Sequence, residues 1–137
     1  MPKSTMYNIF NSLVTAAKTT GVANIFLSNR PDVTKEMTEF VVIDLPTVQY
    51  RAVKGNDDFI VRTEGVFYIG MKAKSDNTPN IGKQTALVQK FLDLFPITDD
   101  RIVATEPTVL LKGSDKSGFQ LTTITFHIRT KINSFNH

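Results

Sequence analysis

Two acidic doublets, one internal histidine, a glycine-bounded hexapeptide and a threonine-rich stretch are the places in this 137-residue chain where side chains could do chemistry. Asp57-Asp58 and Asp99-Asp100 offer paired carboxylates, the groups used for cation binding or general acid–base work. Adjacent residues of a strand point to opposite faces, and neither doublet carries the alternating acidic ligands of a calcium loop. Both are read as solvated carboxylates. His127 falls in a predicted strand, on the odd-numbered face with Thr123, Thr125 and Arg129, opposite Ile124, Phe126 and Ile128. General-base or metal chemistry needs partners at fixed reach, and no HxH or HExxH arrangement supplies them. It is read as a surface histidine, and His137 as a mobile terminal residue.

The segment from Gly113 to Gly118 has the glycine spacing of a phosphate-binding loop. That motif requires Lys and then Ser or Thr directly after the second glycine, with a helix beyond. Phe119 and Gln120 stand there instead, with a strand expected, so the segment is read as a hairpin turn. Thr122, Thr123, Ile124 and Thr125, with Arg129 and Lys131 nearby, suggest a polar and basic strand face. Sheet platforms that bind single-stranded nucleic acid stack bases on exposed aromatics, which this face lacks. The expectation is a solvated face, or one buried against a neighbouring subunit. No catalytic residue, cofactor site or metal site is assigned.

The elements that must position these residues follow from hydrophobic spacing. Met6, Ile9, Phe10, Leu13, Val14 and Ala17 fall on one helical face, with Ser4 or Thr5 able to cap the start and Gly21 the end. Residues 23–27 read as a short strand, followed by a turn-rich loop to about Thr38. The apolar and β-branched run 39–45 reads as a buried strand closed by Pro46. Residues 48–53 can extend as a further strand, and 54–58 have turn chemistry. From Phe59 to Ala73 the apolar residues alternate at a period of two, with Gly65 able to bulge or bend the strand. Thr78-Pro79 suits an N-cap followed by proline at the first helical position, opening a second helix whose stripe is Ile81, Leu87, Val88, Phe91, Leu92 and Phe95, stopped by Pro96. Strands near 101–112 and 119–132 close the chain as a β-hairpin.

These elements predict a two-layer α+β fold: one mostly antiparallel sheet, both helices on one face, a C-terminal β-hairpin, and a single domain over residues 1–137. The 41% hydrophobic content, with ten Phe, is enough for one core. Zero cysteines exclude disulfides, thiolate nucleophiles and cysteine metal sites. No apolar run approaches a membrane span, and the first residues lack the pattern of a signal peptide, so action in the compartment of synthesis is expected, with no membrane partner. The formal charge of +3 is spread evenly, six basic against five acidic residues in 1–57 and ten against eight in 58–137. That describes a mildly basic solvated surface better than a dedicated nucleic-acid face.

The order of the pieces, residues 6–17, 24–31, 39–46, 59–74, 81–95 and 119–132, resembles that of the tail-terminator and tail-completion proteins of tailed phages. The resemblance is one of layout over nearly the whole chain, because that family carries no catalytic motif. It implies a non-enzymatic structural virion protein, assembled in the host cytoplasm and closing into a homo-oligomeric ring of six or twelve copies at the head–tail or tail-terminator junction. Its partners would be itself and neighbouring portal, connector or tail proteins, with DNA passing through the channel. Subunit contacts in the family involve the sheet and an extended loop between early strands. Here that loop would be residues 48–58, with Tyr50, Arg51, Lys54 and Asp57 as interface candidates. The terminal hairpin is longer than in the simplest members. The alternative function is a cytosolic adaptor domain that binds a protein or nucleic acid.

Overall fold

A computed structural model describes residues 5–29, 37–52, 59–76, 78–114 and 118–130. The first helix, α1 (Thr5–Lys18), forms because Ile9, Leu13 and Ala17 recur every four residues and become fully buried along one stripe. After two further turn residues Gly21 adopts a φ of 78°, a left-handed conformation available to glycine at little cost, and sends the chain toward the sheet.

The remaining elements are β1 (Ile25–Leu27), β2 (Glu39–Ala52), β3 (Phe59–Lys72), α2 (Ile81–Leu92), β4 (Ile97–Thr98), β5 (Ile102–Ser114) and β6 (Phe119–Thr130). The strands make one sheet in the order β1-β2-β3-β6-β5-β4. β1 runs parallel to β2, and every other pairing is antiparallel. The fold is the expected mostly antiparallel α+β sheet with two helices and a C-terminal hairpin.

Period-two alternation sorts the strands into two faces. Val41 and Ile43 of β2, Phe67, Ile69 and Met71 of β3, Ile102 and Ala104 of β5, and Ile124, Phe126 and Ile128 of β6 form one core with residues of both helices. Both helices therefore cover the same face. Phe67 is its centre, with ring centroids 5.0 Å from Phe91 of α2 and 4.8 Å from Phe126 of β6. Phe95, just past α2, stacks 5.0 Å from Phe126 and ties the helix exit to the sheet.

The opposite face is not wholly polar. Phe40, Val42 and Phe119 are buried there, with Phe26, Met37, Tyr68 and Leu121 packed around them. Phe40 and Phe119 meet edge to face at 5.1 Å. Gly70 makes this possible: a Cβ on it would stand 2.3 Å from the Phe40 ring.

Three local expectations are corrected, and one element is added. Pro46 does not close a strand, because β2 continues to Ala52. The pairing with β3 slips between Asp44 and Thr47, and this bulge accommodates a residue with no N–H to donate. Thr78 is not the cap of α2: its N–H and hydroxyl both donate to the Asp76 carboxylate, at 3.0 and 2.6 Å, while Asn80 caps the helix by accepting from the Lys83 N–H. The helix itself ends at Leu92, so Phe95 packs from the turn beyond it. The two-residue β4 carries too short a pattern to be read from sequence.

Candidate functional site

Two features of the sheet stand out from the sequence upward: a polar cleft on the face away from the helices, and the outer margin of β5. The cleft begins with His127. Its cross-strand neighbours are Glu64 on β3 and Thr105 on β5. Past Thr105 the pairing of β5 with β6 slips until Thr108, leaving Glu106 and Pro107 in a bulge, and Glu106 takes a φ of 61°. That conformation strains a residue with a Cβ. It brings the Glu106 carboxylate to 3.6 Å from His127 Nε2, an ion pair whenever the imidazole is protonated.

Bulges on β2 and β5 thus frame a cleft of about 220 Å³, whose walls include Pro46, Glu64, Glu106, Thr108, Thr125 and His127. Two carboxylates, two hydroxyls and an imidazole make an acceptor-rich lining. The His127 side chain is 51% exposed and that of Glu106 75%, so solvent screens their attraction. No group of three His, Asp or Glu side chains close enough to hold a metal ion occurs among the described residues.

The expected polar strand face is only partly present. Thr125, His127 and Arg129 are exposed on it, and Lys131 lies outside the described residues. Thr122 turns instead to the helix side, because Gln84 of α2 is buried over it and donates to its hydroxyl at 3.0 Å. Thr123 is buried as well.

Of the acidic doublets, Asp57-Asp58 falls outside the described residues. Asp99 is a turn-forming residue: its Oδ1 accepts from the N–H groups of Arg101 and Ile102, at 2.7 and 2.9 Å, and holds β4 against β5. Burial pushes its pKa up, but the Ser12 hydroxyl, these two N–H groups and the Arg101 charge more than offset that, and the net direction is down. Gly113 and Gly118, with φ of 81° and 84°, flank the hairpin between β5 and β6 as expected of turn glycines.

The margin of β5 is what sequence reasoning missed. β4 pairs with β5 only at Val103 and Ala104, so among the described residues no strand lies beside residues 105–114 on that side. Val109, Leu110 and Leu111 sit in this open stretch and are 39%, 54% and 65% exposed. The available signal was three consecutive apolar residues in a strand whose neighbours alternate. Such a run cannot be buried by one face alone.

The interface candidates lie at the other side of the sheet. Tyr50 and Arg51 are strand residues of β2, paired with Val61 and Ile60 of β3. Lys54 and Asp57 fall outside the described residues. β1 reaches only Val41–Ile43 on the outer side of β2, so residues 47–52 also lack a described neighbour there. No family model matches the chain, and no curated protein matches it.

Proposed function

We propose that this chain is a non-enzymatic structural protein that acts by self-association, building a homo-oligomeric ring of six or twelve copies at the head–tail or tail-terminator junction of a phage virion. The observation that carries the self-association is the apolar margin of β5, where Val109, Leu110 and Leu111 are exposed on a stretch beside which no described strand lies. An exposed apolar strand edge is a liability that proteins avoid unless something covers it. Covering two half-exposed leucines contributes about 1 kcal/mol each, and new ladder hydrogen bonds give the contact direction. The virion assignment rests on the resemblance in layout to tail-terminator and tail-completion proteins. In this reading the partners are further copies and the adjoining portal, connector or tail proteins, with DNA in the channel.

The test is the solution mass of the purified protein by light scattering across a concentration series, with negative-stain images of the heaviest species. Closed sixfold or twelvefold rings are the expected result. A monomer at every concentration would overturn the reading and favour a cytosolic adaptor that offers the same edge to a different partner.

A further inference from the structure

Between the margin of β5 and the margin of β2 that no described strand covers stand four strands in the order β2-β3-β6-β5, joined by three antiparallel pairings. An odd number of reversals makes β2 and β5 run in opposite directions. Copies related by a rotation about an axis near the strand direction keep their strand senses. The β2 of one copy then meets the β5 of the next antiparallel, and every copy uses both of its open margins. A twofold pairing of β5 with β5 would leave both β2 margins uncovered.

Charge selects the same sense. Going along β5 the margin carries Glu106 and then Lys112; along β2 it carries Asp44 and then Arg51. Antiparallel pairing sets the Arg51 end of β2 against the Glu106 end of β5, and the Asp44 end against Lys112. Parallel pairing would set Arg51 beside Lys112 and Asp44 toward Glu106, like against like on both counts. The Glu106 carboxylate, 3.6 Å from His127, is three-quarters exposed and so open to a cation of another copy.

From this we infer that residues 105–110 of β5 in one copy pair antiparallel with residues 47–52 of β2 in a second copy, with Arg51 of that copy against Glu106. The inference rests on the proposed self-association and names the two surfaces that make it.

The test is a charge swap in the full chain. Arg51→Glu and Glu106→Arg should each raise the concentration needed for half-assembly by at least about tenfold, and the double variant should restore it. Cross-linking supplies a second measurement, and the absence of native cysteine means that the introduced thiols are the only ones. A variant with Ala52→Cys and Thr105→Cys should give multimers with a short bismaleimide. One with Ala52→Cys and Ser114→Cys should not, since residues 105 and 114 lie about 30 Å apart along the strand. If the wild type forms rings but the swaps leave assembly unchanged and the first pair fails to cross-link, the strand pairing is wrong while the ring reading stands. A wild type that stays monomeric overturns both.

Discussion

Thr63 sits in β3 at 1% exposure, and its hydroxyl has no hydrogen-bond partner among the described residues. Burying a hydroxyl without a partner costs free energy that an isosteric methyl avoids. Thr63→Val should therefore leave stability unchanged or raise it by up to about 1 kcal/mol, read as the urea midpoint. Asp99 shows the opposite case, a carboxylate that the fold wants charged. Its folded pKa lies below the ordinary 3.8, so its contribution is fully present above that value and is lost as pH falls through the lowered one. Relative to Asp99→Asn, the wild type should be more stable at neutral pH, with the gap closing in acid; a gap that stays constant down the pH series would contradict this. Neither role was legible in the sequence. A doublet such as Asp99-Asp100 reads as solvent-facing until the turn that folds around it is seen, and Thr63 looks like any polar residue of an alternating strand.

At the scale of elements, period-two and 3.6-residue spacing made both helices and the long strands legible, because each buries a regular stripe. The run of β2 past Pro46 and the placing of Thr122 share one cause, local rules overridden by tertiary partners. β2 runs past Pro46 because β3 continues to pair beyond the bulge. Thr122 leaves the polar face because strand alternation places it beneath Gln84. That contact is the one buried side-chain hydrogen bond between α2 and β6 given by the described residues. Gln84→Met alone should cost about 1–3 kcal/mol by orphaning the Thr122 hydroxyl, and Gln84→Met with Thr122→Val should recover most of it. A double-mutant cycle by chemical denaturation would show the coupling; additive losses would mean that the bond contributes little.

For the whole molecule, sequence patterning specified the two-layer arrangement but not where the sheet would be left open. Strand order is set by contacts distant in sequence, and only the order reveals that β4 covers two residues of a thirteen-residue strand. The assembly reading makes its own prediction here. Leu111→Lys, at a site 65% exposed, should leave the melting temperature of the dilute protein nearly unchanged while lowering its mass at high concentration in light scattering. Loss of folding in the same variant would instead assign Leu111 to the core. The bulges that bracket this margin have a further effect. Pro107 offers no N–H at one end, and the register breaks again between Leu111 and Gly113 at the other, leaving a straight segment shorter than the six or seven residues of a steric zipper. An edge of that length gives amyloid-like stacking no template to propagate, so under the assembly reading three bare apolar residues in a row could pair with one neighbouring copy without seeding a fibre.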